Sequence, residues 1–96
     1  MICWVLYDIR ADKIRNVAAK LCLKAGLIRV QYSCFVGDLE KSDKDSLGLQ
    51  LKDLIDEDND KVYLFTMSKN EFRETLLYGQ AFDKKYVSGD LKSMLL

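Results

Sequence analysis

One carboxylate stands where an apolar strand gives way to polar residues, and it is the residue best placed for chemistry. Residues 2–7 are apolar or aromatic without interruption, and Asp8 follows them directly. A run of this kind predicts a central strand that is buried on both faces. Because side chains alternate along a strand, Asp8 shares a face with Trp4 and Leu6, and Tyr7 lies on the other. An acid at this position either caps the following turn or serves as a functional ligand, and position alone favours the cap.

The composition narrows the possible chemistry to carboxylates and hard cations. The chain has no histidine, which excludes histidine general bases, Ser-His-Asp triads and most zinc sites. The remaining option is an oxygen-liking cation such as Mg²⁺, held by carboxylates. The acidic segment 53–60 lacks the twelve-residue spacing and the central glycine of an EF-hand, so a solvated turn is its better interpretation.

Basic residues supply a possible contact surface for phosphate. Lys13, Lys20 and Lys24 fall on one stripe of a predicted helix. This stripe is either a solvated face or a rim that faces phosphate groups. Fifteen basic and fifteen acidic residues cancel, so any nucleic-acid contact must come from local patches of this kind.

The first half of the chain predicts a helix and then one or two strands after the first strand. Asp12 is a candidate N-cap for a helix over residues 13–25, and Gly26 is a candidate helix stop. Residues 27–37 are rich in β-branched and aromatic types and predict either one bent strand or two short strands joined near Ser33. Arg29 lies on this segment, on the same face as Gln31.

The second half predicts a second helix and further strands. Ser42 and Asp45 resemble a capping box before a helix over residues 43–55. Strands are predicted over 61–67 and 75–78, with a short helical turn at 70–73 between them, and a β-prone patch follows at 85–88. This order predicts an α+β, ferredoxin-like βαββαβ sandwich, in which two helices cover one face of an antiparallel sheet. We expect a domain over residues 1–80 and a C-terminal extension over 81–96.

The chain length, the cysteines and the lack of a long apolar run predict a small cytoplasmic protein. Ninety-six residues make one domain with a modest core, so a homodimer is a natural way to cover additional apolar surface. The three cysteines stand in apolar contexts without metal-ligand spacing and are expected to be reduced. No apolar run approaches 18 residues, and the N-terminal segment lacks the features of a signal peptide, so we expect no membrane association.

The chain resembles the CRISPR-associated endoribonuclease family, the small ferredoxin-like partner of the CRISPR integrase in spacer acquisition. The resemblance is carried by four stretches in order: WVLYDIR, DKIRNVAAKLCLKAGLIRVQYSCFVGDL, DNDKVYLFTM and NEFRETLLYGQ. Together they extend from about residue 2 to residue 80. One departure is Cys34, which stands where the family often has a small aliphatic residue.

The resemblance implies a homodimer in which a C-terminal strand crosses to the sheet of the partner. It further implies that Asp8 and its symmetry mate bind one Mg²⁺ or Mn²⁺ ion, which relieves the repulsion between two carboxylates. The other matched positions are those that the family uses for nuclease activity or substrate contact: Tyr7, Arg15, Arg29 and Phe35. For Phe35, base stacking and a place in the core are both open.

Three functions are compatible with these expectations. The first is a metal-dependent endonuclease that acts on single-stranded RNA or double-stranded DNA, with activity that is weak or conditional because one acid per subunit makes a sparse site. The second is a non-catalytic adaptor that bridges two integrase dimers and holds the DNA backbone. The third is a related toxin ribonuclease of the VapD kind.

Overall fold

The first strand occupies the centre of a four-stranded sheet, as its uninterrupted apolar sequence predicts. The computed structural model describes residues 1–79. The sheet has the order β2-β3-β1-β4, and all neighbouring strands are antiparallel. The elements in chain order are β1 (Ile2–Asp8), α1 (Asp12–Lys24), β2 (Ile28–Gln31), β3 (Cys34–Asp38), α2 (Lys41–Leu54), β4 (Lys61–Met67) and α3 (Lys69–Glu74). This arrangement confirms the predicted α+β, ferredoxin-like fold.

Two helices pack on one face of the sheet and form the larger core with it. Cys3, Val5 and Tyr7 point from β1 toward this side and are buried. They meet small side chains of α1 and leucines of α2, namely Ala18, Ala19, Cys22, Leu47 and Leu51. Small residues on α1 let the helix lie close to the sheet, which gives the site-bearing strand a rigid support.

The other face of the sheet is only partly covered. Phe72 of α3 is fully buried there and contacts the ring of Trp4 edge-on, with ring centroids 5.9 Å apart. Beyond this cover, Leu6, Tyr63 and Phe65 remain 36%, 61% and 43% exposed. Asp8 lies on this face, at the end of β1, because it follows Leu6 by two positions.

The segment between the helices resolves into two strands, one of the two predicted alternatives. Residues 32 and 33 form the turn between β2 and β3, and the pairing register shifts between Arg29 and Gln31. The predicted stop at Gly26 is also confirmed: α1 ends at Lys24 and Gly26 has φ +101°, a conformation that favours glycine.

The predicted helix caps were wrong. α1 begins at Asp12 itself, and its N-cap is Ala11, which has no capping side chain. Asp12 instead forms an ion pair with Arg15 one turn later. At α2 the N-cap is Glu40, so the Ser42–Asp45 pattern lies inside the helix and is not a capping box.

A true capping box precedes the short helix α3. The Ser68 hydroxyl accepts a hydrogen bond from the backbone N–H of Glu71, and the Glu71 carboxylate accepts one from the backbone N–H of Ser68, at 3.1 and 2.9 Å. The helical turn predicted at 70–73 is confirmed, and the capping box accounts for its start.

The strand predicted over residues 75–78 was wrong for the single chain. Among residues 1–79, this segment joins no strand of the sheet, and Leu76 and Tyr78 are largely exposed. The β-prone patch at 85–88 and the extension over 81–96 lie outside the described residues. None of the helices that the structure describes is long and apolar enough to cross a membrane.

Candidate nucleic-acid and metal site

Asp8 ends β1 as an exposed carboxylate that is not used to hold the fold together. Its cross-strand neighbour is Lys61, the first residue of β4. Within residues 1–79, the Asp8 side chain makes no hydrogen bond and no ion pair within bonding distance. It therefore does not cap the following turn, the interpretation that position alone favoured, and its oxygens remain available to a ligand.

Other residues hold the turn that follows Asp8. The Arg15 guanidinium donates hydrogen bonds to the backbone carbonyls of Ile9 and Arg10, at 2.9 and 3.1 Å, and pairs with Asp12. From across the sheet, the Asp60 carboxylate accepts a hydrogen bond from the backbone N–H of Arg10 at 3.1 Å. The turn is thus fixed on both sides, which keeps Asp8 at a defined place without engaging its carboxylate.

These contacts change the interpretation of Arg15. The resemblance implied a substrate-contacting role, for which the side chain was expected to grip phosphate, yet both terminal nitrogens already have partners on the protein. Its observed arrangement makes Arg15 a positioning residue for the turn.

Tyr7 lies on the face opposite to Asp8, in the helix-side core. The residue is 6% exposed, and its ring is stacked on that of Phe35 with centroids 6.1 Å apart. Burial raises the pKa of the Tyr7 hydroxyl above its ordinary value, and the nearby Arg29 guanidinium partly offsets that effect. Tyr7 is therefore neutral at physiological pH and is unsuited to act as a general base.

Phe35 is not available to stack on a base, which corrects the binding role considered for it. Its side chain is fully buried in the helix-side core. Its ring lies beneath the Arg29 guanidinium, whose central carbon is 5.1 Å from the ring centroid. Phe35 thus supports the arginine instead of meeting the ligand itself.

Arg29 is held in place on β2, on the helix-side face of the sheet, which is opposite to the face that bears Asp8. Its Nε donates a hydrogen bond to the backbone carbonyl of Tyr32 at 3.1 Å. Its guanidinium carbon lies 5.4 Å from the centroid of the Tyr32 ring, in addition to the contact with Phe35. An exposed arginine with a fixed planar head is suited to phosphate, and its predicted role as a phosphate contact stays a prediction.

The lysine stripe of α1 is exposed but leads away from Asp8. Lys13, Lys20 and Lys24 are all exposed, and within the described part of the chain they form no ion pair. With a helical rise of about 1.5 Å per residue, Lys24 lies about 16 Å along α1 from Lys13. The helices α1 and α2 cover the sheet face opposite to that of Asp8, so the structure places these lysines near neither Asp8 nor its open face.

Two residues at the Asp8 end of the sheet could not be singled out from the sequence. Lys61 was included in a predicted strand, but only the strand register shows that it stands opposite Asp8. Tyr32 lies at the turn between β2 and β3, next to Ser33, whose carbonyl accepts a hydrogen bond from the backbone N–H of Tyr7 at 3.1 Å. The signal for Tyr32 was an aromatic residue at a predicted kink between two strands.

Within one chain, the predicted metal site involves a single described carboxylate, that of Asp8. Among residues 1–79 there is no group of three or more acidic, cysteine or histidine side chains that could hold a metal ion. The free carboxylate of Asp8 fits a Mg²⁺ ligand, because Mg²⁺ often uses one or two carboxylates and keeps several waters. The acidic loop is a solvated turn, as predicted, in which Asp56 accepts hydrogen bonds from Asp58 and Asn59.

The fold and the site together define a small ferredoxin-like protein whose candidate functional groups are a strand-end carboxylate and an anchored arginine. The model of the family described as CRISPR associated protein Cas2 matches residues 1–75. The chain belongs to the Cas2 family.

Named relatives agree with this assignment. The chain is 31% identical over 83 residues to the CRISPR-associated endoribonuclease Cas2 2 of Chloroflexus aurantiacus, covering 86% of this chain and 98% of that protein. It is 39% identical over 67 residues to the CRISPR-associated endoribonuclease Cas2 1 of Archaeoglobus fulgidus, covering 70% of this chain and 71% of that protein.

Solved structures share the fold. The crystal structure of Streptococcus pyogenes Cas2 superposes with a TM-score of 0.70 at 28% identity and covers 82% of this chain and 100% of that one. A hypothetical protein from Thermus thermophilus gives a TM-score of 0.70 at 26% identity, with 83% and 92% of the two chains covered.

Proposed function

We propose that this protein acts in CRISPR spacer acquisition as a homodimer that binds nucleic-acid backbones, bridges integrase dimers and hydrolyses phosphodiester bonds with Mg²⁺ or Mn²⁺. The observation that carries the hydrolytic part is Asp8, an exposed carboxylate at the end of a rigid central strand with no other task in the described chain. Relatives that bear the name endoribonuclease support a nuclease role.

A second copy of the chain is the proposed source of the second carboxylate. The sheet face that bears Asp8 leaves Leu6, Tyr63 and Phe65 exposed beside a buried Trp4. A symmetric dimer can bury an exposed apolar patch of this kind, because the patch on one subunit packs against the same patch on the other. Two Asp8 carboxylates with a shared divalent cation form the proposed site, in which the cation supplies a nucleophilic water at neutral pH and stabilises negative charge on the phosphate.

Arg29 is the proposed phosphate contact at the same end of the sheet as Asp8, on the opposite, helix-side face. Its head is fixed by Tyr32 and Phe35, so less conformational freedom is lost when it binds phosphate. The exposed lysines of α1 form a separate surface, which we assign to the nucleic-acid backbone outside the cleavage site. With a net charge of zero, affinity depends on phosphate contacts in local patches, and it falls with salt in proportion to the number of those contacts.

A non-catalytic adaptor is the second candidate, and one observation favours it. Residues 1–79 offer a single acid at the proposed site and no cluster that would hold a metal within one subunit. In a non-catalytic adaptor, Asp8 has no catalytic role, and only the basic surfaces contribute by binding the nucleic-acid backbone. The third possibility, a VapD-like toxin ribonuclease, is less favoured because the family match is to a CRISPR-associated protein.

Cleavage assays with an Asp8 variant separate the first two candidates. Labelled single-stranded RNA and double-stranded DNA are incubated with Mg²⁺ or Mn²⁺ and wild type, Asp8→Ala or Asp53→Ala. Asp53 is a matched control, since it is an exposed acid at the end of α2. Cleavage by wild type and Asp53→Ala alone supports the enzyme, whereas equal cleavage by all three, or by none, contradicts it.

Spacer acquisition is tested separately in cells that carry the CRISPR locus. Deletion of the gene is expected to abolish uptake of new spacers, and the protein is expected to copurify with the integrase. If uptake continues after deletion, the proposed role in spacer acquisition is wrong. A loss of uptake that Asp8→Ala restores fully assigns the role to the adaptor and not to hydrolysis.

A further inference from the structure

The turn between β2 and β3 carries an aromatic ring that the fold does not need. Tyr32 is 73% exposed, so its ring adds little to the core. Single exposed aromatic residues are common and carry no inference alone. What distinguishes Tyr32 is that two contacts hold it, both of them to the same arginine.

Arg29 prepares the Tyr32 ring for a planar ligand. The guanidinium lies over the ring at 5.4 Å from its centroid, and the Arg29 Nε binds the backbone carbonyl of Tyr32 at 3.1 Å. Arg29 itself rests on the fully buried ring of Phe35 at 5.1 Å. Because one face of the Tyr32 ring is covered by the guanidinium, the large exposed fraction belongs mainly to the opposite face and the edge.

The same turn is attached to the end of β1 that bears Asp8. The backbone N–H of Tyr7 donates to the carbonyl of Ser33 at 3.1 Å, and Leu6 pairs with Cys34. Adjacent strands lie about 4.8 Å apart. The turn residue Tyr32 therefore stands at the same end of the sheet as Asp8, one strand away from it.

We propose that Tyr32 is a base-stacking residue, which places an unpaired base on its open face while the neighbouring Arg29 contacts phosphate. This inference rests on the proposed function and adds a residue that favours single-stranded over double-stranded nucleic acid. Unpaired bases expose their faces to aromatic side chains, whereas bases inside a duplex are already stacked on each other. Tyr32 should therefore strengthen binding of single strands and contribute little to binding of duplexes.

Binding without cleavage tests this role. Fluorescence anisotropy in EDTA measures the affinity of a labelled twelve-nucleotide uridine RNA and of a labelled twelve-base-pair duplex DNA. The proteins are full-length wild type, Tyr32→Ala, Tyr32→Phe and Leu49→Ala, the last a control that removes an exposed apolar side chain from α2. Circular dichroism shows whether each variant is folded.

If Tyr32 stacks on a base, its removal should lower affinity for the single strand and leave affinity for the duplex nearly unchanged. Tyr32→Ala should weaken binding of the single strand by about 5- to 150-fold, the range for loss of one base–aromatic stack. Its affinity for the duplex should change less than about twofold, and Tyr32→Phe and Leu49→Ala should match wild type.

Three results would overturn the assignment. If Tyr32→Ala binds the single strand as well as wild type does, Tyr32 is not a stacking residue, and the proposed function is untouched. If Tyr32→Ala loses affinity for both ligands equally, or if Tyr32→Phe loses as much as Tyr32→Ala, stacking is not its role. If wild type binds neither ligand, the proposed nucleic-acid binding fails together with this inference.

Discussion

Substitution of Arg15 distinguishes a residue that holds the turn after Asp8 from one that grips phosphate. Its guanidinium binds the carbonyls of Ile9 and Arg10 and pairs with Asp12. Hydrogen bonds from charged donors contribute about 1.5–3 kcal/mol each when buried, but this side chain is 28% exposed and water can replace part of the loss. We therefore expect Arg15→Ala to lower the free energy of unfolding by about 2 kcal/mol.

The effect should appear in melting temperature and not in the salt dependence of binding. For a domain of this size, a loss of about 2 kcal/mol lowers Tm by about 8–16 °C. Asp12→Asn removes only an exposed ion pair and should cost less than about 1 kcal/mol, so it is the matched control. Each phosphate contact to a single strand contributes about 0.7 to the slope of log affinity against log salt, and that slope should not change in Arg15→Ala.

The assays are thermal unfolding by circular dichroism and anisotropy titrations at several salt concentrations. A slope reduced by about 0.7 together with an unchanged Tm would refute the positioning role and restore Arg15 as a phosphate contact. A lower Tm with an unchanged slope supports the reasoning from the turn geometry.

Three further predictions follow from the packing. Phe72→Ala should lower the free energy of unfolding by about 3–5 kcal/mol and alter the emission of Trp4, the single tryptophan, in urea titrations; unchanged emission would contradict the packing of α3. Burial raises the pKa of the Cys22 thiol from 9.0 to about 12, so the stability it contributes is complete below pH 9 and is lost as pH rises toward 12. When the pH is raised from 8 to 10.5, the free energy of unfolding should therefore fall less in Cys22→Ala than in wild type. Equal decreases in the two proteins, measured by urea titration, would refute this. Gly37→Ala should destabilise the protein by about 1–3 kcal/mol, because its Cβ would lie 3.1 Å from the Leu27 Cα and 3.3 Å from the Gly26 carbonyl oxygen, which are backbone atoms; an unchanged Tm would contradict this.

The central strand and the order of elements could be predicted because they depend on local pattern. An unbroken apolar run indicates that β1 lies between two neighbouring strands. The break near Ser33 could be predicted because residues 27–37 are too many for one typical strand. The N-cap residues of α1 and α2 could not be predicted as reliably. A shift of one residue at Asp12 or Ser42 moves a side chain from the N-cap into the helix, and this choice depends on the tertiary path of the chain.

The roles of site residues were less predictable because they depend on distant contacts. Arg15 and Asp60 hold the turn beside Asp8 without engaging its carboxylate, and Asp60 is 50 residues from the Arg10 amide it binds. Phe35 lies on a strand face whose direction is set by pairing with β1, so its burial could not be decided from the sequence. The predicted strand over 75–78 reflects β propensity, which does not form a strand without a partner edge.

The proposed pair of Asp8 carboxylates is tested most directly by Mn²⁺ binding to the full-length protein. Electron paramagnetic resonance titrations measure free Mn²⁺ with wild type, Asp8→Asn and the control Asp53→Asn, and light scattering gives the mass of each in solution. The account predicts one bound Mn²⁺ for every two chains in wild type and Asp53→Asn, and none at that affinity in Asp8→Asn. Undiminished binding by Asp8→Asn, or a wild type that binds no Mn²⁺, would contradict it.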